Sequence, residues 1–321
     1  MKIIKNNSYE LILSDGSHAL RDCVLALGNF DGVHIAHATL LDKAKELRAG
    51  IGASQVGVWC FGQNPMEFFS HTPPQSILTK EEKIKIFFEC GMDFVVIGDF
   101  TEFRNTDATD FVKDHLIGEL SCVGTVCGYN FKFGKGRTGE PALLRDIFGE
   151  DRCLVVDRIQ LDGVTVSSTK IRELILSGDM GSARKFLGRP YYISSPVTQG
   201  KRLGRTLGFP TTNQYFPENH IIPKRGIYAT VCTTEDGKRY IGVSNVGIRP
   251  TITDGTDTHR INCETYIVDF EGDVYGQSLK VEFYKLLRDE RKFNSMDELK
   301  SAIERDAAAA VTFFDNMEVG L

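Results

Sequence analysis

Five short apolar runs organise the first half of this sequence: Cys23–Leu27, Gln55–Phe61, Asp93–Ile97, Cys122–Cys127 and Cys153–Val156. They are nearly continuous rather than alternating, which is the pattern of strands buried on both faces. Helical patterns separate them. One spans about Ala36 to Leu47, and another fits Asp107–Leu116. Between these, Thr79-Lys80-Glu81-Glu82 has capping-box spacing and opens a helix over Lys83–Cys90 that Gly91 closes. Strands alternating with helices in this way are joined by right-handed crossovers, so the expectation is a parallel, doubly wound sheet. Such sheets bind ligands beyond the carboxyl ends of their strands.

The texture changes after about residue 188. Asp236-Gly237 and Glu271-Gly272-Asp273 read as hairpin turns between strands rich in Val, Ile, Tyr and Thr. On that reading Gly226–Thr234 pairs with Arg239–Val246, and Asn262–Phe270 pairs with Gln277–Tyr284. The product is a small antiparallel barrel, closed by a helix that starts at Ser295-Met296-Asp297-Glu298. A chain of 321 residues accommodates two domains, because single cores rarely grow past about 250 residues. The expected division is 1–187 and 188–321, at Leu187-Gly188-Arg189-Pro190.

Charge narrows the partners. With 38 basic against 43 acidic residues the net charge is −5, which argues against a nucleic-acid binder. Phosphates must then be held by local donors. The eight cysteines form no CxxC pair and no zinc spacing, and Cys60 sits inside an apolar run where a thiol acts as a small hydrophobe. The start of the chain lacks a signal-peptide pattern, and no run reaches the roughly 20 apolar residues of a membrane span. A soluble cytoplasmic protein is expected, monomeric or weakly homo-oligomeric, with no membrane or nucleic-acid partner.

The strongest local signal is Gly28-Asn29-Phe30-Asp31-Gly32-Val33-His34-Ile35-Ala36-His37, between the first run and its helix. His34 and His37 share a face at the first helical turn, where free amides and the helix dipole already favour anions. An isolated HxxH is more often incidental, but the place straight after the first strand reverses that weighing. Val166-Ser167-Ser168-Thr169-Lys170-Ile171-Arg172 offers hydroxyls and a cation at another helix start. Gly128-Tyr129-Asn130-Phe131-Lys132-Phe133-Gly134-Lys135-Gly136-Arg137 supplies glycines, aromatics and cations in one loop. In the second half, Gly200-Lys201-Arg202-Leu203-Gly204-Arg205-Thr206-Leu207-Gly208-Phe209-Pro210-Thr211-Thr212-Asn213 can wrap phosphates, though it is no Walker A loop. Thr211 and Asn213 offer neutral oxygens suited to a magnesium ion that keeps its waters.

The three N-terminal segments, in this order and spacing, resemble the adenylyltransferase module of bacterial bifunctional riboflavin kinase/FAD synthetases, a nucleotidyltransferase with HxGH and ISSTxxR motifs. The glycine-rich loop, Gly242–Thr251, Cys263–Phe270, Gly276 and Leu287–Phe293 resemble the riboflavin kinase domain of the same family. The resemblance implies a Rossmann-like domain that converts FMN to FAD, followed by a β-barrel with a C-terminal helix that converts riboflavin to FMN. Both steps use ATP, with Mg²⁺ in the kinase half. It places Gly28, Asn29, Phe30, Asp31, His34, His37, Ser167, Ser168, Thr169 and Arg172 around one ATP. The other ATP falls to Gly200, Lys201, Gly204, Arg205, Gly208, Pro210, Thr211 and Asn213, with Thr211 and Asn213 also holding the metal. Glu264 becomes the general base, with His34, His37 and Arg172 as the catalytic groups of the adenylylating half. The flavin falls to Asn64, Asn130, Phe131 and Arg137 in one half, and to Asn245, Arg288 and Arg291 in the other.

Two positions depart from the family pattern: Ala36 replaces the glycine of HxGH, and Phe61-Gly62-Gln63-Asn64-Pro65 stands where a Pro-His-Pro segment is usual. They leave open a kinase whose first half is weak, inactive or redirected to another acceptor. A non-catalytic flavin-binding regulator is the reading of a different class, opposed by the intact metal and base candidates.

Overall fold

The computed structural model describes residues 2–5, 8–14, 20–62, 68, 74–198, 208–253 and 256–317. The chain divides into two compact units, Met1–Ser168 and Thr169–Leu321.

The first unit is built on seven strands. In chain order they are β1 (Lys2–Lys5), β2 (Tyr9–Leu13), β3 (Cys23–Leu27), β4 (Gln55–Phe61), β5 (Phe94–Gly98), β6 (Cys122–Gly128) and β7 (Cys153–Val156). Across the sheet the order is β1-β2-β5-β4-β3-β6-β7. The five apolar runs form the parallel part, β5-β4-β3-β6-β7. The hairpin β1–β2 was not expected; it extends the sheet antiparallel to β5. Its first strand carries Lys2 and Lys5 around two isoleucines, so it lacks the apolar run that announces the buried strands.

Helices cover this sheet. They are α1 (Ile35–Ile51), α2 (Lys80–Glu89), α3 (Phe100–Phe103), α4 (Ala108–Asp110) and α5 (Pro141–Phe148). Helix α1 buries Leu40, Leu41, Ala44 and Leu47 and stops at Gly52, whose φ of 69° is the left-handed conformation that ends helices. Helix α2 has the capping box its sequence announces. The Glu82 N–H donates to Thr79 Oγ1 at 3.2 Å, and Thr79 N–H donates to Glu82 Oε2 at 2.8 Å. The third expected helix differs: α4 passes into a π-helix over Phe111–Glu119. An apolar spacing of three and four residues does not separate those two windings. A small hairpin, β8 (Gln160–Leu161) and β9 (Val164–Thr165), ends the unit.

Strand order fixes where a ligand can bind. From β3 the chain builds outward through β4 and β5 on one side, then returns to add β6 and β7 on the other. Neighbouring loops after β3 and β6 therefore leave the sheet in opposite directions and open a crevice, the topological switch point. His34 and His37 follow β3, and Asn130 and Phe131 follow β6.

In the second unit, α6 (Ser168–Ser177, its first residue shared with the first unit) and α7 (Met180–Leu187) precede a six-stranded antiparallel sheet. Its strands are β10 (Tyr191–Pro196), β11 (Thr211–Tyr215), β12 (Gly226–Thr233), β13 (Arg239–Thr253), β14 (Thr256–Ile267) and β15 (Ser278–Arg288), in the order β10-β15-β12-β13-β14-β11. A bridge between Thr198 and Asn213 brings the two edges together, so the sheet curls toward a barrel. Helix α8 (Met296–Asp315) lays Ala310 and Phe314 on Ile227, Ala229, Val231 and Tyr284.

The hairpin at Asp236-Gly237 forms as expected, joining β12 to β13. The one at Glu271-Gly272-Asp273 does not. Strand β14 pairs with β13 and β11, while β15 pairs with β12 and β10. The segment is a crossover, because closing the barrel requires β15 to cover the free edge of β12. Local turn chemistry carries no information about that edge.

Candidate functional sites

In the first unit, Gly28 makes room for a ring: a Cβ there would lie 3.0 Å from the Phe30 side chain, which is fully buried. Phe30 and Val33 both have positive φ, 52° and 36°, an uncommon backbone for non-glycine residues that surrounding packing must hold. Asp31 supplies that hold. Its Oδ1 accepts the Ile77 N–H at 2.9 Å, and its carbonyl accepts the Ser168 hydroxyl at 2.8 Å. Phe30 and Asp31 thus shape the loop from beneath. Ser168 is joined to the same loop, and Arg172 lies one turn further along α6.

His34 is the N-cap of α1, and its Nδ1 accepts the His37 N–H at 3.3 Å. That bond assigns the proton of a neutral His34 to Nε2, so Nε2–H is the donor it can present. The two imidazoles stack with centroids 3.5 Å apart and planes at 11°. Ala36 sits in the first turn of α1 in ordinary helical backbone, a conformation that places no demand for glycine.

Around the crevice, Asn130 is exposed, and Phe131 stacks on Phe133 at 5.5 Å. Arg137 is exposed at a loop tip with φ of 61°. A cavity of about 450 Å³ opens beside Gly62 and Gly98, walled by Tyr9, Phe68, Ile97 and Phe100. At its rim the Lys5 and Lys80 ammonium groups hold the Glu10 carboxyl below the usual carboxylate range. Asn64 lies outside the described residues.

In the second unit, register does the assembling. Asn213 on β11 faces Glu264 on β14, which faces Asn245 on β13. Alternation puts Thr211 on the same face as Asn213, while Thr212 and Gln214 turn to the other side. Sequence reasoning missed Asn262. This residue is 3% exposed and its Nδ2 donates to Asn213 Oδ1 at 3.1 Å and to Glu264 Oε1 at 3.2 Å. A carboxylate only accepts, so the atom facing Glu264 must be the amide nitrogen. The signal was in the sequence: residues two apart on a strand share a face.

Asn245 has a buried Oδ1 with no hydrogen-bond partner among the described residues. The Glu290 carboxylate packs where a Cβ on Gly247 would stand, so a larger residue there would have to push that side chain aside. Arg288 is already engaged. Its Nε and Nη2 grip the Asp306 carboxylate at 2.7–3.1 Å, pinning the end of β15 to α8. Arg288 and Arg291 both lie near the Phe293 ring, at 5.6 and 4.9 Å. Gly208 and Pro210 are exposed ahead of β11. Gly200, Lys201, Gly204 and Arg205 lie outside the described residues.

Comparison with known proteins now bears on both units. A family model for FAD synthetase matches residues 16–170, and one for riboflavin kinase matches residues 187–314. The bifunctional riboflavin kinase/FMN adenylyltransferase of Bacillus subtilis is 33% identical over 92% of this chain and 93% of its own. The protein of the same name from Haemophilus influenzae is 34% identical, over 95% and 98%. The chain belongs to the bifunctional riboflavin kinase/FMN adenylyltransferase family.

A crystal structure named as a macrolide-efflux protein from Streptococcus pneumoniae superposes with a TM-score of 0.82 at 25% identity, covering 92% of this chain and 95% of that one. It shares the two-unit fold of the kinase/adenylyltransferase family. Among the described residues no helix is long and apolar enough to cross a membrane. The FAD synthetase match ends at residue 170 and the riboflavin kinase match begins at 187, so most of α6 and α7 falls between them. Those helices attach to the barrel: the Lys224 N–H donates to the Ile175 carbonyl at 3.3 Å, and the Arg184 guanidinium lies 5.6 Å over the Tyr284 ring.

Proposed function

We propose that the chain phosphorylates riboflavin to FMN in its barrel unit and adenylylates FMN to FAD in its parallel-sheet unit, using one ATP for each step. The boundary between the two activities is placed at residues 187/188, near the start of the riboflavin kinase match. The observation that carries the kinase assignment is the row Asn213–Glu264–Asn245 set by strand register.

In that row Glu264 takes the proton of the ribityl hydroxyl. The hydroxyl oxygen bonds to the γ-phosphorus, the bond from that phosphorus to the bridging oxygen breaks, and ADP leaves. An alcohol needs such a base at neutral pH. Asn262 holds Glu264 Oε1, which leaves Oε2 for the substrate. The unpartnered Asn245 Oδ1 suits a donor on the flavin ring. Thr211 and Asn213 fit magnesium as neutral oxygen donors on one face of β11, where Asn262 fixes the Asn213 side chain through Oδ1. Bound there with ATP, the ion would neutralise phosphate charge.

In the first unit the FMN phosphate is its own nucleophile, being largely ionised at neutral pH with a second pKa of about 6. Its oxygen attacks the α-phosphorus of ATP and pyrophosphate leaves. His34, His37, Ser167, Ser168, Thr169 and Arg172 bind and neutralise the triphosphate, while Asn130, Phe131, Arg137 and the aromatic-walled cavity receive the flavin. Positioning and charge are sufficient for this chemistry.

The test is incubation of the full chain with riboflavin, ATP and Mg²⁺, resolving FMN, FAD, ADP and pyrophosphate over time. FMN should appear with ADP, followed by FAD with pyrophosphate. FMN that accumulates with no FAD would restrict the chain to a kinase.

A further inference from the structure

Lys83 is a charged side chain that neither half-reaction has used. It lies on α2 and is 6% exposed. Its ammonium donates to the Phe61 carbonyl at 3.1 Å and to the Asn29 carbonyl at 3.4 Å. Those carbonyls stand at the carboxyl ends of β4 and β3, the side of the sheet where the crevice opens. Among the described residues no carboxylate pairs with it. An ammonium carries three N–H donors, so one remains without an acceptor among those residues.

A full charge is an expensive way to join two carbonyls. Drawing an ammonium out of water is costly unless an anion meets it, and a neutral amide could bridge the same two oxygens. The surroundings say which anion is at hand. Lys83 and Phe87 share a face of α2. Phe87 meets the edge of Phe30 at 5.4 Å, and Phe30 lies 5.1 Å from the His37 ring. The buried cation is therefore packed into the underside of the loop that carries His34 and His37.

We propose that Lys83 is a second cation of the adenylylation site: it ties the loop after β3 to the end of β4 and gives its third N–H to an anionic phosphate oxygen of the reactants. This rests on unit one performing the FMN-to-FAD step. The charge lowers the repulsion between the FMN phosphate and the triphosphate as the new oxygen–phosphorus bond forms, and it stabilises the negative charge that pyrophosphate carries away. No proton moves to or from Lys83.

The experiment compares the full-length chain with Lys83→Met and Lys83→Arg. It measures kcat and KM for FAD formation from FMN and ATP, riboflavin kinase turnover in the same samples, thermal midpoints, and calorimetric binding of inorganic pyrophosphate. Lys83→Met should lower kcat/KM for FAD formation about 10²-fold, the scale of losing one charged transition-state donor. Pyrophosphate binding should weaken roughly tenfold, kinase turnover should be unchanged, and Lys83→Arg should recover part of the loss. A raised KM for FMN assigns the contact to the acceptor phosphate, and a raised KM for ATP assigns it to the triphosphate. Wild-type constants and pyrophosphate affinity in Lys83→Met would overturn the proposal. So would equal losses in both variants tracking a lowered midpoint, the mark of a purely structural tie. A wild-type chain that makes no FAD while binding pyrophosphate in a Lys83-dependent way would instead remove the adenylylation reading and leave the anion site standing.

Discussion

The two units manage ATP with opposite architectures. In the parallel-sheet unit the candidate groups are collected by loops at one end of the sheet: stacked imidazoles at a helix start, a serine tied to a buried aspartate's carbonyl, and a lysine beneath. In the barrel unit they stand side by side on three adjacent strands, where register alone sets their spacing. The nucleophile explains the contrast. A phosphate arrives already ionised, so the first site needs cations and donors but no base. An alcohol arrives protonated, so the second site needs a carboxylate held still, and a rigid sheet holds one better than a loop.

That contrast breaks most directly at Glu264. Glu264→Gln should reduce FMN formation by about 10²-fold or more while leaving FAD formation from supplied FMN untouched. Parallel assays of the two half-reactions check this, and near-normal FMN formation would end the claim that only the alcohol needs a base. A smaller effect sharpens it. Asn262→Leu removes the donor that fixes both Glu264 and Asn213, and a hydrogen bond to a charged group is worth roughly 10-fold or somewhat more in rate. The loss should appear in kinase kcat, with the KM for riboflavin little moved; a change confined to KM would make Asn262 a binding residue instead.

The smallest effect concerns stability. His220, in the barrel unit, is 2% exposed beside the Tyr191 ring, and neither ring nitrogen has a well-formed hydrogen bond among the described residues. Burial pushes its imidazole down to about 4 from the usual 6.5, against a small upward pull from the Tyr192 backbone. A group depressed on folding takes up its proton more readily in the unfolded chain. Its contribution is therefore present above pH 6.5 and falls away as the pH drops toward 4. His220→Phe should remove that acid sensitivity, a difference of about 1 kcal/mol near pH 5.5, measured as denaturant midpoints against pH. Parallel curves for the two proteins would show that the ring already reaches water.

Several features of the sites could be read directly from residue order. The loop after β3, the capped start of α2, the hairpin at Asp236-Gly237 and the spacing of Thr211 and Asn213 are local patterns with local causes. Lys83 was read only as part of a helix, because one lysine in an amphipathic segment looks like any solvated cation until the packing beneath it is known. For Arg288, expected to contact the flavin, the fold adds a forked grip on Asp306, 18 residues away, that no local pattern announces. The crossover at Glu271–Asp273 was read as a turn for a similar reason: an edge to be covered is a property of the finished sheet.

By itself, then, the sequence determined the kinds of elements and the chemistry they carry, since strand runs, caps, turns and motif residues depend on neighbours within a few positions. Only the tertiary structure decided which strand lies beside which, and with it the row Asn213–Glu264–Asn245, the amide that holds two of its members and the buried charge under the histidine loop. The reason is physical. Pairing and burial are settled by apolar area and backbone hydrogen bonds satisfied across the whole unit, and residues far apart in the chain meet only when that wider requirement is fulfilled.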